Sequence, residues 1–166
     1  MYEEIENELG CKIPDAIKYI DPDGLHAALL INERTGEVIA YGINKRICTM
    51  NLPHDGCTRY TVHAEQEMLC NYTKIQRQLK FNGNGRGQKT LVSLRFNRNG
   101  VSGNSKICSA CAKMITNKCR GFIRNVKYMD DTKNWREVPV SEICDIAIPS
   151  SGDKRRNRSL NMPTRD

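Results

Sequence analysis

Apolar residues recur at every fourth position near the start of the chain, which is typical of one face of a helix. The series consists of Ile5, Leu9, Ile13 and Ile17. Pro14 falls inside it, and proline removes a helical hydrogen bond and clashes with the preceding turn. The pattern therefore predicts a broken helix, or two short helices, within residues 2–20.

The next stretch has the pattern of a hairpin. Two mainly apolar runs, 25–31 and 37–44, flank the polar turn 32–36. Such an arrangement predicts two neighbouring antiparallel strands. Residues 45–59 contain Pro53, Asp55 and Gly56 and are predicted to form a loop.

Helical and strand patterns alternate through the rest of the chain. The predicted elements are a helix over 60–79, a strand over 90–96, a helix from 108 to 119, a strand over 122–129 and a short helix or strand over 138–148. Such alternation after an initial hairpin predicts an α/β fold of three layers, α/β/α. We expect a mixed sheet of about five strands with helices on both faces.

The length of 166 residues and the hydrophobic content of 39% fit one domain, which we place at residues 1–149. Residues 150–166 are rich in Ser, Arg and Asn and are predicted to be a basic, flexible tail. No stretch approaches the roughly 18 consecutive apolar residues of a membrane span. The acidic first residues do not resemble a secretory signal, so we expect an intracellular, cytoplasmic protein without a membrane partner.

The net charge of +7 favours an anionic partner, such as a nucleotide, a nucleic acid or an acidic surface. Charge alone does not choose between these partners. Several of the basic residues lie in the predicted tail, so the rest of the domain is only mildly basic.

The chain has eight cysteines, and in an intracellular protein they are better explained as metal ligands and buried thiols than as disulfides. Cys108 and Cys111 form a C-x-x-C pair at the start of a predicted helix. Together with His63 they suit tetrahedral zinc, with the fourth position left to water. Glu65 follows His63 by two positions and would act as a proton carrier beside that water.

The spacing H-x-E followed by C-x-x-C is the signature of zinc deaminases. Over about residues 25–129 the chain resembles the cytidine and deoxycytidylate deaminase superfamily. The segment 61–66, Thr-Val-His-Ala-Glu-Gln, is similar to the first metal helix of that family, and Cys-Ser-Ala-Cys at 108–111 is similar to the start of the second. Within the superfamily, 104–108 and 126–130 look closest to a branch found in large DNA viruses and microbial eukaryotes.

This resemblance implies a zinc-dependent hydrolase that converts cytosine to uracil in a nucleotide or nucleoside, as deoxycytidylate deaminases do, with release of ammonia. It implies zinc ligation by His63, Cys108 and Cys111, and proton transfer by Glu65. It also implies a homo-oligomer, because family members often complete the pocket with a neighbouring subunit.

Substrate contacts are expected at Asn44, Ala64, Arg59 and Arg98. Asn44 ends the second predicted strand and resembles the sugar-contacting asparagine of the deoxycytidylate and tRNA deaminases. Three basic residues flank the expected pocket entrance and either hold a phosphate or form an ordinary solvated face. They are Arg95, Arg98 and Lys106.

One residue departs from the family pattern. Ile107 stands where the family has proline before the first cysteine, which leaves the rigidity of that turn open. This departure keeps open a deaminase-fold binding or structural protein without activity. The basic surplus keeps open a second alternative, a nucleic-acid-editing deaminase acting on cytosine or adenine.

Two smaller features have simpler interpretations. His54 and Cys57 have spacing for a second metal site, but two ligands in a loop are few, and Cys57 and Cys70 are predicted to be buried thiols. His26 lies in an apolar run and is interpreted as a core histidine with satisfied hydrogen bonds.

Overall fold

The computed structural model describes residues 2–49, 58–78, 88–97, 100–101, 104–119 and 121–149. The helices are α1 (Tyr2–Leu9), α2 (Asp15–Lys18), α3 (Ala64–Gln78), α4 (Ser109–Cys119) and α5 (Ile143–Ile146), the last preceded by a 3₁₀ turn at Val140–Glu142. The strands are β1 (His26–Asn32), β2 (Val38–Ile43), β3 (Lys45–Thr49), β4 (Thr58–Val62), β5 (Lys89–Asn97), β6 (Gly100–Val101), β7 (Ile123–Met129) and β8 (Trp135–Pro139). Within these ranges no helix has the length and apolar character needed to cross a membrane.

The main sheet is mixed and has the strand order β2-β1-β5-β7-β8, with β6 pairing the end of β5. β5 and β7 are parallel and are connected through α4, whereas the other neighbours along this order are antiparallel. β3 and β4 form a separate two-stranded ribbon that leads into α3. The predicted α/β fold with a mixed sheet is confirmed.

The sheet separates two hydrophobic cores, and the alternation of side chains along β1 shows the division. Ala28 and Leu30 pack with residues of α3 and α4 on one face. Ala27 and Leu29 pack with Ile5 of α1 and its neighbours on the other. Helices therefore cover both faces, and the buried β1 reads as a nearly continuous apolar run because neither face meets water.

Helix α3 packs unusually close to β2. A Cβ atom added to Gly42 would lie 2.3 Å from the carbonyl oxygen of Ala64 and 2.3 Å from the backbone nitrogen of Met68. The carboxylate of Glu67 accepts a 2.7 Å hydrogen bond from the backbone N–H of Ile43 and pairs with Lys45. These contacts fix the first turn of α3 against the sheet.

The broken N-terminal helix is confirmed as α1 and α2, with Pro14 immediately before the second. The predicted loop over 45–59 is wrong in part, because β3 lies within it and β4 begins at its end. The helix predicted from residue 60 begins at Ala64, since residues 60–62 pair with β3.

Two further corrections concern the second half of the chain. The polar composition of residues 97–106 predicts a loop, but this segment contains the short β6, which pairs with the end of β5. Strand β8 was not predicted, and the element predicted over 138–148 is the 3₁₀ turn and α5 that follow this strand. The predicted tail at 150–166 lies outside the described residues.

Candidate metal centre

His63 is the residue that joins β4 to α3, and its backbone caps the helix. The side chain of Gln66 accepts a 3.1 Å hydrogen bond from the His63 N–H, and the His63 carbonyl accepts from Glu67. This is half of a capping box, in which the third helical residue reaches back to the N-cap. The sequence therefore fixes the backbone of His63 locally.

Cys108 occupies the same position before α4, and Cys111 lies in the first turn of that helix. The Cys108 carbonyl accepts a 2.8 Å hydrogen bond from Ala112, as the first bond of the helix. Because three residues make almost one helical turn, both sulfur atoms lie at the same end of α4. The N-termini of α3 and α4 thus meet at the three predicted ligands.

The turn before Cys108 is held by hydrogen bonds to Ile148, in the segment that follows α5. Ile148 donates its N–H to the Ile107 carbonyl at 3.2 Å, and its carbonyl accepts from the backbone N–H of Ser109 at 2.9 Å. Cys108 and Ile148 pair as an isolated parallel bridge. The side chain of Ile107 is itself buried in the core. The bridge gives this turn a restraint that does not depend on proline.

The three predicted ligands are brought together. The Nδ1 atom of His63 lies 3.2 Å from the Cys108 sulfur and 3.4 Å from the Cys111 sulfur. All three ligand atoms lie within 4.8 Å of one another, a spacing at which they can hold a metal ion. Among the described residues, no fourth histidine, cysteine or carboxylate belongs to this group.

The pKa values of Cys108 and Cys111 are shifted in opposite directions. The hydrogen bond with Cys111 lowers the pKa of Cys108, and the interaction with His63 lowers it further. The pKa of Cys111 is raised by its interaction with Cys108, by burial and by the negative charge of Glu65. These opposite pKa shifts favour the negative charge on Cys108 rather than on Cys111. A cation at this position would favour deprotonation of both.

Glu65 lies in the first turn of α3, and its side chain is fully buried, with 0% exposure. Neither carboxylate oxygen has a hydrogen-bond partner among the described residues. Burial of a carboxylate without partners is costly, so this arrangement is typical of a group retained for its chemistry. The carboxylate is close enough to Cys111 to influence its pKa.

Of the four residues predicted to contact the substrate, the structure describes the side chains of two, Asn44 and Ala64. The Asn44 side-chain oxygen accepts a 2.7 Å hydrogen bond from the backbone N–H of His26, and its amide donates to Gly24 at 3.4 Å. Ala64, the first residue of α3, is completely buried in the core. The side chain of Arg59, and Arg98 as a whole, lie outside the described residues. Their substrate contacts stay predictions.

Of the remaining basic residues, Arg95 is exposed and lies opposite His26 in the β1–β5 register. Lys106 forms an ion pair with Asp131 at 3.9 Å. His54 and Cys57, the candidate second metal pair, lie outside the described residues.

Sequence reasoning missed one group near Glu65. His26 was predicted to be a core histidine with satisfied hydrogen bonds, and its Nε2 does lie 2.9 Å from the Ser93 hydroxyl. The same nitrogen lies 3.6 Å from Glu65 Oε1. The only local signal was a histidine at the head of an apolar strand.

No protein-family model matches this chain, and the search of curated proteins gave no match. The chemistry of the site is therefore inferred from its geometry. That geometry consists of an imidazole and two thiol groups at adjoining helix N-termini, with a buried carboxylate on the helix that follows the imidazole.

Proposed function

We propose that this protein is a zinc-dependent hydrolytic deaminase acting on a cytosine nucleotide or nucleoside, with a deoxycytidylate-like substrate. The observation that carries the proposal is the buried carboxylate of Glu65, which lies on the helix that follows His63 and has no hydrogen-bond partner among the described residues. A purely structural metal site has no need of such a group.

The donor set supports zinc as the metal. One imidazole nitrogen and two cysteine sulfurs are the borderline and soft ligands that zinc prefers. Structural zinc sites use four protein ligands, whereas catalytic sites use three and leave one position open. The three-residue group among the described residues matches the second pattern.

When bound, zinc would supply a Lewis acid that makes a water molecule acidic enough to attack near neutral pH. His63, Cys108 and Cys111 would hold the ion. The two helix N-termini at the ligands favour the negative charge that the thiolates carry.

Glu65 would move the protons. Its carboxylate takes a proton from the attacking water and delivers it to ring N3 as the oxygen adds to C4 of cytosine. It then passes the remaining hydroxyl proton to the exocyclic amine. The C4–N bond breaks, ammonia leaves, and the C4–O bond becomes the carbonyl of uracil. The carboxylate returns to its starting state.

A substrate panel tests this proposal. Zinc-loaded protein is incubated with dCMP, deoxycytidine, cytidine, single-stranded DNA and RNA, and adenine counterparts, with uracil or hypoxanthine formation and ammonia release as readouts. We expect turnover of cytosine monomers, and loss of that turnover in Glu65→Gln with the zinc content unchanged. Glu3→Gln, an exposed change on α1, is the matched control.

Each other outcome contradicts the proposal in a distinct way. Turnover only on polymers would favour nucleic-acid editing, and turnover only of adenine would change the base. Full zinc occupancy without turnover of any substrate would favour the inactive binding protein.

A further inference from the structure

His26 is the first residue of β1, and its ring extends from the sheet toward α3. Its side chain is 22% exposed, whereas the Glu65 side chain that it approaches is fully buried. Nε2 of the ring lies between two oxygens, the Ser93 hydroxyl at 2.9 Å and Glu65 Oε1 at 3.6 Å. A small shift of either side chain would bring Nε2 and the carboxylate within hydrogen-bond distance.

Glu65 needs such a partner. Both of its oxygens are buried without a hydrogen bond among the described residues. A carboxylate without hydrogen-bond partners is held only by its own side chain and can rotate about the side-chain torsions. Misplacement of a proton-transfer group slows the reaction. A neighbouring N–H donor would restrict that rotation.

The backbone of His26 is fixed from a second direction. Asn44 accepts from the His26 N–H through its side chain, and donates its own N–H to the His26 carbonyl at 2.9 Å. Pairing with β5 places Arg95 opposite His26, and Ser93 lies on the same face of β5 as Arg95 because side chains alternate along a strand. The backbone that carries the His26 ring is therefore restrained both by Asn44 and by β5.

We propose that His26 is a positioning residue for Glu65, with its Nε2–H orienting the carboxylate toward the His63–Cys108–Cys111 group. This inference rests on the proposed function for its consequence in catalysis. The contact between His26 and Glu65 does not depend on whether the protein is a deaminase. The alternative is that His26 serves only the sheet, through Ser93.

Two substitutions separate these roles. His26→Gln places an amide N–H near the position of Nε2, whereas His26→Leu keeps the approximate size and removes every donor. For a positioning role, His26→Leu lowers kcat on the order of tenfold with little change in KM, and His26→Gln recovers a clear part of that loss. A structural role through Ser93 predicts lower stability of His26→Leu, with kcat unchanged in the folded variant.

A double-mutant cycle in metal-free protein measures the contact without activity. Urea midpoints are compared for wild type, His26→Leu, Glu65→Gln and the double variant. If His26 and Glu65 are in contact, the shifts of the urea midpoint in the two single variants do not add up to the shift in the double variant. Thr90→Val is the matched control, because Thr90 lies on β5 and donates to Glu33 rather than toward Glu65. Its shift should add to that of Glu65→Gln.

The outcomes are distinguishable. An active wild type with equal activity in His26→Leu overturns the positioning role and leaves the proposed function standing. An inactive wild type overturns the proposed function, and with it the role of His26 in catalysis, whatever the cycle shows. Additive shifts in the cycle overturn the contact. If His26→Leu does not fold, His26→Met, which also removes every donor, replaces it in the kinetic comparison and in the cycle.

Discussion

The hydroxyl of Ser105 donates a 2.7 Å hydrogen bond to the backbone carbonyl of Ser93. The Oγ atom of Ser105 also accepts a 2.8 Å hydrogen bond from the backbone N–H of Met129. Ser105 is nearly fully buried, so one side chain links β5, β7 and the segment that carries Cys108. Ser93, in turn, contacts His26 through its hydroxyl. The position of the cysteine pair thus depends on a small polar residue three positions earlier in the chain.

Ser105→Ala should destabilise the protein. Two buried groups lose their partner, at about 1–3 kcal/mol each, so the free energy of unfolding should fall by roughly 2 kcal/mol or more. Urea unfolding measures this change. Ser141→Ala, at an exposed serine in the 3₁₀ turn, is the control and should change stability by less than about 0.5 kcal/mol. Equal effects of the two substitutions would show that Ser105 is not a structural link.

Gly42→Ala should be more severe than an ordinary glycine substitution. The added methyl group would lie 2.3 Å from backbone atoms of α3, which cannot move aside as a flexible side chain can. We expect a loss of about 1–3 kcal/mol, or more, and displacement of the first turn of α3. Thermal unfolding measures the loss of stability, and zinc affinity measures the displacement of the first turn of α3.

The matched control for this prediction is Gly121→Ala. A Cβ atom at Gly121 meets nothing within 4 Å. If both alanine variants keep wild-type stability, α3 does not pack against β2 as described.

Ile148→Pro should weaken metal binding. Proline removes the N–H that binds the Ile107 carbonyl and so loosens the turn before Cys108. We expect a loss of roughly tenfold in metal affinity, of the size seen when groups that orient ligands are removed. Competition with a chromophoric chelator measures the affinity. Ile148→Val keeps the N–H and should bind as wild type does, and an unchanged affinity in the proline variant would contradict the role of the bridge.

Glu6 should make stability depend on pH in the acid range. The hydrogen bond from Lys18, followed by that from the Ile13 backbone, lowers the pKa of the buried Glu6 from 4.5 to about 2. Because the pKa is lower in the folded state, its contribution is full above about pH 4.5 and is lost as the pH falls through about 2.

The variant Glu6→Gln isolates this effect. At pH 6 it should be less stable than wild type by about 1–3 kcal/mol, and the difference should shrink steadily toward pH 3. Urea unfolding of metal-free protein gives the values. Glu8→Gln, at an exposed position on the same helix, should show no such trend. A difference independent of pH would contradict the proposed linkage.

Much of the fold could be predicted because its signals are local. Ala64, Met68 and Tyr72 repeat at intervals of four, and all three are buried on one face of α3. The apolar run of β1 and the spacing of Cys108 and Cys111 are equally short-range signals. Each can be interpreted without knowing what lies across the sheet.

The elements that were missed depend on distant partners. Strand β8 is half exposed and has no clear alternation, so its identity comes from pairing with β7. Residues 60–62 continue the helical spacing of α3, but their pairing with β3 makes them a strand. The approach of His26 to Glu65 requires both the docking of α3 and the position of β1 in the sheet. No pattern within either segment encodes that approach.

The most direct test of the account is the zinc content of the purified protein, measured by elemental analysis after expression with zinc and purification without chelators. The account predicts about one ion per chain in the wild type, and loss of that ion in Cys111→Ser and His63→Ala. Cys70, which was predicted to be a buried thiol, is exposed instead, and Cys70→Ser should retain the ion. Wild-type protein that is folded but holds no zinc, or zinc retained in full by both ligand variants, would contradict the central claim.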